Sequence, residues 1–161
     1  MAPQLWMLRH GDAVPHDSKP DADRELTPRG RRQADAAGAA LAALSEEFSA
    51  CYTSPKVRAL ETAELACAHL NVEPVVESSL ANGFSRVDAL ALLDAHGPDA
   101  KVLIVGHEPT FSQVVYDFTG GRVDFKKGGI AALRASRSSG HLLVLARPKE
   151  LEALAEALDR T

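Results

Sequence analysis

Short apolar runs alternate with stretches of helical periodicity along most of the chain. Six short, β-rich runs, at about residues 4–8, 50–53, 73–76, 102–106, 130–134 and 141–146, predict strands, with Val and Leu dominating the fourth and last. Between most of them the apolar period lengthens to that of a helix. Thr27-Pro28 supplies an N-cap and a first helical residue, and the helix it opens carries Ala34, Ala37, Leu41 and Leu44 inward. Ser54-Pro55 repeats this start signal, with Val57, Leu60 and Ala63 on the buried side. Ser85 caps a third helix burying Val87, Leu90 and Leu93 and stopped by Gly97-Pro98. Phe111, Val114, Val115 and Phe118, at i, i+3, i+4 and i+7, mark a fourth. Pro148 opens the last, with Leu151, Leu154 and Leu158 on one side.

This alternation predicts an α/β fold: a mostly parallel central sheet with helices on both faces. The Gly128-Gly129 turn and the close spacing of the last two strands add one antiparallel strand near an edge. The polar stretch from Asp12 to Glu25 is the one long loop, and it directly follows His10. Long loops in compact domains are usually functional or mobile.

At 161 residues and 45% hydrophobic content, the chain reads as a single domain, 1–161, with a full core. Its formal net charge of −4 opposes general affinity for nucleic acid or an anionic membrane, so any anion site must be local. Cys51 and Cys67 are too few for a disulfide framework and lack metal-ligand spacing, which points to reduced, buried thiols. The N-terminal apolar run is cut short by Arg9 and lacks a basic leader, so neither a signal peptide nor a membrane span can be built from it. A monomer in the cytoplasm is expected.

Chemistry gathers at three strand ends. Leu5-Trp6-Met7-Leu8 runs into Arg9-His10-Gly11, Cys51-Tyr52-Thr53 into Ser54-Pro55-Lys56-Val57-Arg58, and Val102-Leu103-Ile104-Val105 into Gly106-His107-Glu108-Pro109. In open α/β sheets ligands bind outside the carboxyl ends of the strands, so Arg9, His10, Arg58 and His107 can converge although far apart in sequence. Planar guanidinium groups hold phosphoryl oxygens by paired, charge-assisted hydrogen bonds and neutralise charge during transfer. Arg58 falls in the first turn of its helix, where the macrodipole disfavours a cation and a bound anion would offset the placement.

Each residue also has a plainer reading. Arg58 could be a surface arginine paired with Glu61 at i+3, and His107 a histidine that merely bonds backbone. The joint pattern outweighs both. His16, His69, His96 and His141 lack such company and are read as structural. His10, Asp12, His16 and Asp17 could ligate a metal, but the nearby arginines would repel a cation and no familiar spacing occurs. No metal or cofactor is therefore expected, and the Gly-rich nucleotide loops are absent. Lys126-Lys127 either extends a positive rim or forms a solvated turn.

With these residues in view, the sequence resembles the histidine phosphatase superfamily, specifically its small SixA-type phosphohistidine phosphatases. The matching stretches are Leu8-Arg9-His10-Gly11-Asp12-Ala13, Arg24-Glu25-Leu26-Thr27-Pro28-Arg29-Gly30, Ser54-Pro55-Lys56-Val57-Arg58-Ala59-Leu60-Glu61-Thr62-Ala63 and Val105-Gly106-His107-Glu108-Pro109. The resemblance implies that His10 is a nucleophile that becomes transiently phosphorylated. It implies further that Arg9 and Arg58 hold phosphate oxygens and that His107 completes the pocket. Larger relatives carry a glutamate general acid after a strand in mid-chain, where this sequence offers Asn82. Asp12 is the best substitute acid, with Glu77 and Glu108 weaker. An imidazole leaves more easily than an alkoxide, so the missing glutamate favours phosphohistidine substrates.

The expected function is thus removal of phosphate from histidine on a signalling or phosphotransfer protein, releasing inorganic phosphate without a metal. The alternatives are a metal-independent phosphomonoesterase acting on a small metabolite and a noncatalytic module that binds phosphohistidine. A mere binder would need the arginines but not the nucleophile.

Overall fold

The computed structural model describes residues 2–159, the last two by backbone alone. Six strands, β1 (Gln4–Arg9), β2 (Ala50–Thr53), β3 (Pro74–Val76), β4 (Lys101–Gly106), β5 (Ile130–Ala135) and β6 (Gly140–Ala146), form one sheet in the order β3-β2-β4-β1-β5-β6. β1, β2, β3 and β4 pair in parallel, and β5 runs antiparallel to both β1 and β6. The expected mostly parallel sheet with one antiparallel strand near an edge is therefore what the chain forms.

Five α-helices cover the two faces: α1 (Pro28–Ala43), α2 (Val57–Cys67), α3 (Arg86–Asp94), α4 (Thr110–Thr119) and α5 (Pro148–Asp159). β1 shows why both faces need cover, since it is apolar at consecutive positions. Leu5 and Met7 pack with Phe111, Val115 and Leu93 of α3 and α4. Trp6 and Leu8 pack with Leu41, Ala63 and Leu151 of α1, α2 and α5. A strand buried on both sides reads as a continuous run rather than as an alternation.

Helix starts follow local chemistry. Thr27 caps α1, its hydroxyl accepting from the Gly30 amide at 3.0 Å with Pro28 as first residue. Ser85 and Asp88 form a capping box on α3. α2 departs from expectation: its N-cap is Lys56 and its first residue Val57, two residues beyond the Ser54-Pro55 signal. The Ser54 hydroxyl still accepts from the Lys56 amide at 3.2 Å, but in the turn before the helix.

Several inward assignments also need correction. Leu44 is 49% exposed and Val87 74% exposed, because each sits at a helix end beyond the sheet's cover. Val57 and Leu60 are only partly buried, and α2 instead presents Ala59, Ala63 and Ala66 to the core. These small residues let α2 lie close to α1, which faces it with Ala37, Ala40 and Leu41. Leu151 is buried but Leu154 is exposed, and the Leu158 side chain lies outside the described residues. Cys51 and Cys67 are free and buried, as the composition implied. No helix among the described residues is long and apolar enough to cross a membrane.

Candidate active site

Parallel register aligns three strand ends on one edge of the sheet. Arg9 sits opposite Gly106, and Thr53 opposite Val105, so the residues that follow β1, β2 and β4 leave the sheet together. His10 and His107 face one another with ring centroids 5.2 Å apart. His10, Arg58 and His107 are all buried, at 6%, 6% and 7% exposure, an unusual state for such side chains away from a site.

The chain around His10 is fixed by close backbone packing. A Cβ on Gly11 would lie 2.6 Å from the Gly30 carbonyl oxygen, and one on Gly30 would lie 2.0 Å from that of Asp12. Only glycine at both positions lets the first turn of α1 touch the segment behind β1. Thr62 ties in α2: its hydroxyl accepts from the Gly11 amide at 3.1 Å and donates to the Arg58 carbonyl at 2.7 Å.

His10 Nδ1 lies 2.7 Å from its neighbour's carbonyl oxygen, at Gly11. A carbonyl only accepts, so Nδ1 carries the hydrogen and Nε2 the lone pair. Burial, with the charges of Arg58 and Arg9 adding to it, pushes the His10 pKa down to about 3. The ring is therefore neutral and nucleophilic at neutral pH.

His107 holds the same tautomer. Its Nε2 is 2.7 Å from the Ser54 hydroxyl, which already accepts from the Lys56 amide. A hydroxyl donating to Nε2 leaves the hydrogen on Nδ1, which is buried and without a partner among the described residues. Burial and the Arg58 and Lys56 charges lower the His107 pKa to about 3 as well. Arg9 Nε is likewise buried without a partner, while its Nη1 donates to the Phe125 carbonyl at 2.6 Å. Two N–H groups thus stand buried and unpartnered at the strand ends, a costly state that calls for a polar acceptor.

Arg58 lies in the first turn of α2, as the sequence placed it, though as the second residue of a helix that starts later than expected, and its partner is not Glu61. Glu61 accepts instead from the Leu26 amide and from Arg31, at 2.9 and 2.8 Å. Arg58 Nη1 donates to the Asp21 carbonyl at 2.7 Å, and Nη2 lies 3.3 Å from the Asp21 carboxylate. Asp21 also meets Lys56 Nζ at 3.2 Å and Arg24 Nη1 at 2.9 Å. Desolvation opposes its charge, but hydrogen bonds from Arg24 and Lys56 and the Arg58 charge hold its carboxyl far below the usual range. Asp21 belongs to a 3-10 turn, Asp21–Asp23, within the long loop behind His10. Its importance has no signal in the sequence, where it is one aspartate among four in that loop. Ser54 is legible there only as a helix start and Lys56 not at all.

Asp12 follows Gly11 and is held by the Thr27 hydroxyl at 2.8 Å, with Lys127 Nζ at 3.6 Å. It lines a cleft of about 510 Å³ together with Arg9. Glu77 and Glu108 turn inward on local partners, the former accepting from Ser79 and the latter from Ser112. Asn82 is exposed in a turn. His16 pairs with Arg24, His69 with Asp35 and His96 with Tyr52, as suits structural histidines. Among the described residues no three of His, Cys, Asp and Glu gather as a metal site would need.

The chain that carries these residues has counterparts among known proteins. Residues 5–86 match the family described as the histidine phosphatase superfamily, branch 1. The chain belongs to the histidine phosphatase superfamily. It is 36% identical over 162 aligned positions to an uncharacterised protein of Picosynechococcus sp., an alignment covering 92% of this chain and 98% of that one. A shorter stretch of 66 positions is 39% identical to the mitochondrial serine/threonine-protein phosphatase PGAM5 of Xenopus laevis, covering 41% of this chain and 24% of that one. Among solved structures, the protein histidine phosphatase SixA complexed with tungstate superposes with a TM-score of 0.77 at 25% identity, over 92% of this chain and 99% of SixA. The family and its SixA-like fold make the chain a phosphatase of the kind that works through a histidine nucleophile.

Proposed function

We propose that the chain, as one domain over residues 1–161, is a phosphohistidine phosphatase acting in cytoplasmic signalling or phosphotransfer, with His10 as the nucleophile. The observation that carries this reading is the His10 ring, buried, neutral and hydrogen-bonded through Nδ1 to the Gly11 carbonyl, which leaves Nε2 free to attack.

In the first step a bond forms between His10 Nε2 and phosphorus while the P–N bond of the substrate histidine breaks. Asp12 gives the departing imidazole its proton, and the same group then takes a proton from the water that splits the enzyme's P–N bond and releases inorganic phosphate. Arg9, Arg58 and His107 hold the phosphoryl oxygens, with the orphaned Arg9 Nε and His107 Nδ1 hydrogens as donors. These donors and cations supply the charge stabilisation, so the step needs no metal. An imidazole is a good leaving group once protonated, so a site with one modest acid suffices for it and serves alkyl phosphates poorly.

A side-by-side panel tests the reading: a phosphohistidine protein, a phosphoserine peptide, sugar phosphates and an aryl phosphate. The phosphohistidine protein should have the highest kcat/KM among the biological substrates. A wide preference for a sugar phosphate would replace the reading with that of a small-metabolite phosphomonoesterase. Binding of phosphohistidine without turnover of any substrate would make the chain a regulatory module.

A further inference from the structure

The cleft lined by Arg9 and Asp12 has neither His10 nor His107 in its walls and is strongly basic. Besides Arg9 its walls carry Arg29, Lys126, Lys127, Arg147 and Lys149. A protein of net charge −4 with 18 lysines and arginines places six of them around one cavity, with Asp12 the single carboxylate in its lining. Local acids offset part of this charge, Asp124 at 3.1 Å from Lys126 and Glu150 at 2.9 Å from Arg147. Arg29 and Lys149 have no salt bridge among the described residues.

Their positions sharpen the point. Arg29 is the second residue of α1 and Lys149 the second of α5, each behind a proline. The helix macrodipole disfavours a cation in that first turn by a few tenths of a kcal/mol and favours an anion there. Two helix starts and the turn over residues 126–129 thus bring positive ends and side chains to one space.

Of the cations only Arg9 is partly buried, and the other five are exposed. A pocket for a small dianion would use buried, bidentate arginines. Exposed cations around a cleft instead attract an extended anionic surface, raising association rate and discriminating against neutral partners. We propose that this cleft docks an acidic stretch of the phosphoprotein substrate, next to the phosphorylated histidine. The inference rests on the phosphohistidine reading and names which phosphoproteins the site would select: those with Asp and Glu beside the modified residue.

Peptide binding tests it with three peptides of one length. The first carries a phosphonate mimic of phosphohistidine flanked by Asp and Glu, the second the same mimic flanked by Asn and Gln, and the third the acidic flanks around an unmodified histidine. At low salt the first should bind at least tenfold more tightly than the second. The double variant Arg29→Glu, Lys149→Glu should abolish that advantage, as should 0.5 M salt, where screening acts over about 3–5 Å. Hydrolysis of a small aryl phosphate should be unchanged in the double variant, which also reports that it folds, since both residues are exposed and glutamate suits a helix start.

Equal binding of the first two peptides, or an acidic advantage that survives in the double variant, overturns the docking surface. Binding of the third peptide by wild type but not by the double variant, with no gain from the mimic, keeps the docking surface and removes the phosphohistidine reading. A single-stranded RNA of equal charge that outcompetes the acidic peptides would also overturn the proposal.

Discussion

Arg58 and Asp21 are joined twice, through the Asp21 carbonyl at 2.7 Å and its carboxylate at 3.3 Å from the guanidinium. The same carboxylate draws in Lys56, so an anion from the chain itself engages the arginine that the proposed reaction assigns to the phosphoryl group. Asp21 is half exposed, so solvent screens the pair and holds its net worth to about 1 kcal/mol although Arg58 is buried. The contact is weak enough to be displaced and strong enough to compete.

Asp21→Asn should therefore tighten competitive inhibition by inorganic phosphate. A contribution near 1 kcal/mol corresponds to about fivefold in the inhibition constant at low ionic strength, shrinking as salt rises. Weaker inhibition in the variant would show that Asp21 holds Arg58 in place rather than competing with the ligand. Arg58→Ala should act in the opposite sense, lowering kcat/KM by roughly a hundredfold or more, as expected for losing a charge-assisted donor to a transferring phosphoryl group.

His10→Ala should abolish turnover of every substrate. Rapid acid-free quenching of the wild-type reaction should trap acid-labile phosphate on the protein, and the variant should trap none. The adjacent Gly11–Gly30 packing involves backbone alone, so the variant should keep its fold, which circular dichroism can check. Hydrolysis at the wild-type rate by His10→Ala would exclude a covalent route through this residue.

Much of the site is legible in the sequence because the ends of β-strands are marked there. Arg9, His10 and His107 each follow a buried apolar run, and parallel register brings such ends together. Helix starts at Thr27 and Ser85 are equally plain, being set by one side chain and a neighbouring amide. What stays hidden depends on contacts distant in sequence. Asp21 reaches Arg58 across 37 positions, and Ser54 reaches His107 across 53. Burial on α2 is obscured for a related reason: the close approach of α1 favours Ala59, Ala63 and Ala66 over the larger Val57 and Leu60, and periodicity alone does not register which face a neighbour will take.

Stability should begin to fall in mild acid because His10 and His107 resist protonation in the folded chain. His10 and His107 have folded-state pKa values lowered to about 3 from 6.5, mainly by burial. Above pH 6.5 both states are neutral and the groups contribute nothing to the pH dependence. As pH falls from 6.5 toward 3, the unfolded chain binds protons that the folded one refuses, and stability is lost at up to about 3 kcal/mol per pH unit for the pair. Urea unfolding between pH 7 and 4 measures this slope. His10→Gln, which cannot be protonated, should reduce it by about half, and an unchanged slope would mean that His10 does not stay neutral in the fold.

Asp12 gives the sharpest test of how the leaving group is served. Its carboxylate is held by the Thr27 hydroxyl at the edge of the cleft it shares with Arg9, so it can be removed without disturbing His10 or its Gly11 contact. An alkoxide needs its proton in the transition state far more than an imidazole does, because their basicities differ by many pKa units. Asp12→Asn should therefore lower kcat/KM for a phosphoserine peptide much more than for a phosphohistidine protein, and least for an aryl phosphate whose phenolate leaves unaided. The isosteric amide keeps an acceptor for Thr27, which separates lost acidity from lost packing. Equal losses on all three substrates would make Asp12 a positioning group for the segment behind His10. Unchanged rates on all three would leave the departing imidazole to take its proton from solvent.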